Sequence, residues 1–166
     1  MSFKQALKKL EESSEFQAFK KKNKKAFLFS AFFILNPEFE AEIQQFNYMI
    51  GKEKAMVLTI NEKEGRIDMK TDKLEPHDTI TEINPNIKLD IKDLTAIIKK
   101  ETKSDASKVK ISKIIAILQK IQGQQIWNLT CMLSNLQILT LHVDCFSAKV
   151  LESKSRSVFD IISIKK

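Results

Sequence analysis

The stretch Ala26-Phe27-Leu28-Phe29-Ser30-Ala31-Phe32-Phe33-Ile34-Leu35-Asn36, stopped by Pro37, decides how the chain is read. It is nearly all apolar and rich in phenylalanine, which suits a central strand buried on both faces. The basic run Lys20-Lys21-Lys22-Asn23-Lys24-Lys25 in front of it imitates the charged start of an export signal. Acidic Glu11, Glu12 and Glu15 precede that run, however, and no small-x-small cleavage site follows. The apolar run is also only about half of the ~20 residues that a membrane span needs. A buried strand introduced by a basic turn is the better reading. It implies a cytoplasmic protein with no membrane contact, in which Cys131 and Cys145 are free, buried thiols.

Working back from this strand, Phe3, Ala6, Leu7 and Leu10 share one helical face, with Lys4, Lys8 and Lys9 on the other. Phe16 and Phe19 leave that phase, and Ser13-Ser14 at the break are good N-cap residues, so a kink or a second short helix follows. Working forward, Phe46, Tyr48 and Ile50 alternate with polar neighbours over Ile43 to Ile50. Met56, Leu58 and Ile60 alternate again, then Ile67 and Met69, with short turns at Gly51–Lys54 and Asn61–Gly65. One helical unit followed by four antiparallel strands is expected.

The order then recurs. Glu75 to Asn86, with Pro76 and Pro85, reads as a linker. Asp90 is a plausible N-cap for a helix carrying Ile91, Leu94, Ile97 and Ile98 on one stripe. Strands are expected at Val109 to Ile121, Ile126 to Leu133 and Leu136 to Val143, with a short one at Lys149 to Glu152. Ile111, Ile114, Ile115, Leu118 and Ile121 also fit an amphipathic helix; the density of isoleucine and the Gly123 turn favour a strand. The expected fold is α+β: two consecutive helix-plus-antiparallel-sheet units, residues 1–74 and 90–166, joined by a linker at 75–89 and able to pack as one compact domain.

Three places in the second half carry a resemblance. They are Ile117-Leu118-Gln119 followed by Gln125-Ile126-Trp127-Asn128-Leu129-Thr130, then Leu141-His142-Val143-Asp144-Cys145-Phe146-Ser147-Ala148-Lys149-Val150-Leu151, and the tail Ser157-Val158-Phe159-Asp160. They resemble the strand-turn-strand segments of PepSY-like domains, and the whole chain is similar to uncharacterised archaeal proteins of that kind. The resemblance implies a cystatin-like helix on a sheet and a binding or regulatory role, and it brings no catalytic residue. Ala148 stands where that family's turn has glycine, the residue that adopts positive φ at least cost.

Composition narrows the function. In 166 residues there are three Gly, two Cys and two His. Gly51, Gly65 and Gly123 stand too far apart for a phosphate-cradling loop, and the few Cys and His argue against a disulfide scaffold or a zinc module. His77 beside Asp78 and the strand residue His142 have no Ser or Cys at triad-like spacing. His142, Asp144 and Cys145 offer too few ligands for a metal, and Glu38, Glu40 and Glu42 read as a solvated loop. Trp127 shares parity with Leu129, Cys131 and Leu133 and reads as core. No catalytic, cofactor or metal site is expected.

The net charge of +7 resides in the second half, with 14 Lys+Arg against 7 Asp+Glu from Ile87 onward and 14 against 14 before it. Lys99, Lys100, Lys103, Lys108, Lys110 and Lys113 form the one candidate patch for an anion or a nucleic acid. Arginine occurs only at Arg66 and Arg156 and exposed aromatics are few, which disfavours specific nucleic-acid readout. The function expected is a non-enzymatic binding or regulatory module whose partner is another protein or a second copy of itself. The alternatives are weak nucleic-acid association through the basic half and a small enzyme.

Overall fold

The computed structural model describes residues 2–75, 79–102 and 110–159. Helices α1 (Phe3–Glu12) and α2 (Ser14–Lys22) lead into strands β1 (Phe27–Leu35), β2 (Ala41–Gly51), β3 (Lys54–Asn61) and β4 (Arg66–Lys73). Helix α3 (Ile91–Glu101) then leads into β5 (Ile111–Ile121), β6 (Gln124–Leu133), β7 (Gln137–Asp144) and β8 (Val150–Ser157).

The expected pair of helix-plus-sheet units, the second PepSY-like, is not what the chain builds. All eight strands form one antiparallel sheet in the order β4-β3-β2-β1-β5-β6-β7-β8. The seam is an antiparallel ladder between β1 and β5, from Ser30↔Gln119 to Leu35↔Ile114. The physical reason lies in these two strands themselves. In two separate sheets each would be an edge strand, yet they are the most apolar strands of the chain, and an open apolar edge invites pairing. Pairing with each other puts both at the centre. The 111–121 stretch is accordingly a strand throughout.

All three helices lie on one face of the sheet. Phe3 of α1 sits edge-on to Phe33 and Trp127, with ring centroids 6.3 Å from each. Phe16 and Phe19 of α2 pack on Tyr48. Ile91, Leu94 and Ile98 of α3 join the same core as Leu118, Leu129 and Leu141. Ser13 ends α1 and begins α2, accepting a bond from the Phe16 amide on its hydroxyl.

Asp90 does more than cap its own helix. Its Oδ1 accepts from the Ile91 amide and, 2.7 Å away, from the Phe3 amide, while Oδ2 accepts from the Lys4 amide at 3.3 Å. One carboxylate thus meets the first amides of both α1 and α3, where the exposed donors and the helix dipoles favour negative charge. Trp127, fully buried, donates its Nε1–H to the Leu89 carbonyl at 2.7 Å and pins the connection that leads into α3.

Candidate functional site

The second face of the sheet is the main candidate. Strand alternation puts Phe32 and Ile34 of β1, Ile43 of β2 and Ile115 and Ile117 of β5 side by side there, through the pairs Ile34↔Ile43, Phe32↔Ile117 and Ile34↔Ile115. Around them stand Gln45, Asn47, Asn128, Thr130, Thr140 and His142. No helix of the described residues covers this face, and none of these apolar residues belongs to the helix-side core. Most are half-buried by their neighbours, while Ile43 and Met132 are 39% and 38% exposed. The expectation that the Ala26–Asn36 strand is buried on both faces therefore holds for one side only. Such mixed, solvent-facing sheet surface is chemically suited to contact with another protein: apolar area for affinity, amides and hydroxyls for direction.

At the β7–β8 end of this face lies a charged cluster. His142 Nδ1 is 3.2 Å from Glu152 Oε2, and Glu152 Oε1 is 2.8 Å from Lys154 Nζ. The Lys154 ammonium, with His142 and Arg156 nearby, holds the Glu152 carboxyl below its usual range. A carboxylate kept ionised beside a histidine can orient the ring.

Asp144 lies on the same strand face as His142, yet its carboxylate is committed to structure. It accepts from Gln124 Nε2 at 3.0 Å and from the Phe146 and Ser147 amides at 2.8 Å each, which lowers its pKa to about 2. Those bonds hold the turn in which Ala148 adopts φ +64°, the left-handed conformation that a turn glycine would have supplied. Cys145 faces the core. Burial, with the Asp144 charge adding to it, pushes its thiol up to about 11, and burial pushes Cys131 up to about 12. Both are free and buried, in keeping with the reading of the sequence. Among the described residues no group of three or more His, Cys, Asp or Glu could hold a metal ion.

A cleft on the helix side is lined by Leu7, Phe16, Phe27, Leu28, Ile83 and Pro85, with Glu11, Lys20 and Tyr48 among its polar groups. Burial and the Glu11 charge raise the Tyr48 phenol well above its ordinary value, and burial raises Glu11 against the opposing pull of Lys20. These groups come from α1, α2 and β2, and no local spacing in the sequence links them into one site.

Four of the six lysines of the candidate patch lie among the described residues. Lys99 and Lys100 are exposed in the last turn of α3, on the helix side. Lys110 is exposed just before β5, and Lys113, opposite Met132, lies on the helix-free face. Lys103 and Lys108 lie outside the described residues, as does His77. Glu38, Glu40 and Glu42 are exposed around the β1–β2 turn, where Asn36 Oδ1 accepts from the Glu38 and Glu40 amides.

No helix of the described residues is long and apolar enough to cross a membrane. Nothing in this arrangement of the described residues positively indicates an enzyme. No family model matches the chain, and no curated protein does either. Among solved structures, the chain is similar in fold to a protein from Clostridium difficile 630 described as a "putative lipoprotein". The two share 14% identity with a TM-score of 0.59 over 86% of this chain and 90% of that one, a likeness of architecture that carries no function with it.

Proposed function

We propose that the protein is a non-enzymatic binding or regulatory module whose helix-free sheet face receives a protein partner. The observation that supports this reading is the row Phe32, Ile34, Ile43, Ile115 and Ile117, left without a covering layer of its own while the opposite face is closed by three helices. A face needed only for solubility would alternate polar residues into these positions, as an antiparallel sheet with one wet side normally does. The cytoplasmic location expected from reading Ala26–Asn36 as a buried strand remains part of this proposal, and the two unpaired thiols support it.

The test uses a photo-crosslinking benzoylphenylalanine at Thr130, in the middle of the face opposite Ile115 and Thr140. The same probe at Lys92, exposed on α3, is the control. Irradiation in the native cell should give a discrete crosslinked species from Thr130 and not from Lys92. Ile117→Lys should abolish it while circular dichroism and melting temperature stay unchanged. Equal crosslinking from both positions, or crosslinking indifferent to Ile117→Lys, would overturn the reading.

A further inference from the structure

We infer that the free edge of β4 is a self-recognition element, through which two copies of the chain pair β4 to β4 antiparallel about a twofold axis at Met69. This edge is distinct from the helix-free face, so the two proposals stand or fall separately.

The argument begins with the strand Arg66-Ile67-Asp68-Met69-Lys70-Thr71-Asp72-Lys73. It ends the sheet, and its register with Asn61, Thr59, Val57 and Ala55 places Arg66, Asp68, Lys70 and Asp72 together on the helix-free side. Their charges alternate. When an antiparallel strand pairs with its own copy, the residues facing each other have numbers with a constant sum. With Met69 opposite Met69, Arg66 faces Asp72 and Asp68 faces Lys70, and symmetry repeats both pairs. Every cross-strand charge pair is then of opposite sign. Moving the axis to Asp68 or to Lys70 sets that residue against itself and brings a further like-charged pair with it, which is destabilising. The sequence is self-complementary about one residue.

That residue is also the apolar one. Met69 is 47% exposed although it follows Ile67 on the helix-side parity of the strand, and in this register it meets its own copy, flanked by Ile67 against Thr71. Lys70 and Asp72 have no ion-pair partner within the chain among the described residues, so both are available.

The backbone agrees with the side chains. The Ile67 amide donates to Glu15 Oε2 of α2 at 2.7 Å and so points away from β3. By the alternation of an antiparallel ladder, Ile67, Met69 and Thr71 then present their amides and carbonyls outward. The charged residues fall at the non-hydrogen-bonded positions between them, where facing side chains are closest. Glu15 occupies the place that the partner's Thr71 carbonyl would take. It therefore acts as a guard on the edge, and must swing aside for the ladder to close.

Sedimentation velocity on the full chain over a range of concentrations, at low and moderate salt, tests this. The parent chain or Glu15→Ala should form a dimer, with Glu15→Ala the tighter by about tenfold. Lys70→Asp should return Glu15→Ala to monomer, because it sets Asp68 against the new aspartate twice. Asp68→Lys combined with Lys70→Asp swaps the charges and should restore the dimer, a result that misfolding or a general charge effect would not give. A monomer in both the parent and Glu15→Ala at every concentration overturns the proposal. A dimer that survives Lys70→Asp, or that the charge swap fails to rescue while circular dichroism shows an intact fold, overturns it equally.

Discussion

Replacing Asp90 by alanine takes the cap from two helices at once. An N-cap carboxylate replaced by alanine typically costs about 1 kcal/mol, within roughly 0.5–2. Asp90 serves the Ile91 amide at the start of α3 and also the Phe3 and Lys4 amides at the start of α1. The loss for Asp90→Ala is therefore expected at about 2 kcal/mol, twice the single-cap value. With a urea slope of about 2 kcal/mol/M for a chain of this size, the unfolding midpoint falls by about 1 M at unchanged slope. Asp90→Asn keeps one acceptor oxygen and gives up the bond to the Lys4 amide, so it should lose roughly half as much. Asp93→Ala removes only the reciprocal bond to the Asp90 amide and should lose least. A midpoint shift for Asp90→Ala no larger than that for Asp93→Ala, or an Asp90→Asn as damaging as the alanine, would refute the double cap.

Trp127→Phe deletes the indole donor and leaves the Leu89 carbonyl buried without its partner, a loss of about 1–3 kcal/mol in urea denaturation. Ala148→Gly relieves the left-handed backbone at φ +64° and should raise stability by about 0.5–1 kcal/mol in the same assay. The Asp144 carboxyl, normally 3.8 and lowered to about 2 in the fold, contributes stability that is complete above its unfolded value and is lost as pH falls through its folded one. Asp144→Asn should thus flatten the decline in melting temperature between about pH 4 and pH 2. Cys131 and Cys145, raised to about 12 and about 11, should resist a disulfide reagent at pH 8 in the native protein and react fully in urea; rapid labelling without denaturant would contradict their burial.

Local structure was legible wherever side chains alternate or cap. Ser13, Asp90 and the Met56-Leu58-Ile60 alternation located their elements because each pattern reflects a choice made within a few residues. Pairing between distant strands leaves no such mark. Periodicity says that Phe27–Leu35 has two apolar sides, but not that its second neighbour is Ile111–Ile121. A clue was nevertheless present: in a four-stranded unit the most apolar strand would have stood at the edge. The sequence predicts β8 only over Lys149 to Glu152, since Ser153-Lys154-Ser155-Arg156-Ser157 has no apolar side, yet it pairs with β7 out to Gln137↔Ser157. The helix-free face is hidden in the sequence for a related reason: its apolar residues have the pattern of core, and nothing in a strand's own sequence says which side a helix will cover. Of the lysine cluster, Lys99 and Lys100 sit on α3 and Lys113 on the helix-free side of β5, a separation that sequence proximity does not reveal.

The seam between β1 and β5 also sets the order in which the molecule can fold. Each half closes its hairpins from neighbouring residues, which is fast, whereas the seam joins Ser30 to Gln119 across most of the intervening chain. Until it forms, the two most apolar strands are open edges, and each is the other's complement whether or not they belong to the same molecule. At high concentration during refolding, β1 of one chain can therefore be claimed by β5 of another, exchanging whole halves with every native bond in place. Lengthening the connection changes the loss of entropy on closing the seam only logarithmically, so it gives little protection. The exchanged species would be trapped behind an unfolding barrier, separating only as slowly as the seam itself unzips, and dilution during refolding would be the condition that suppresses it.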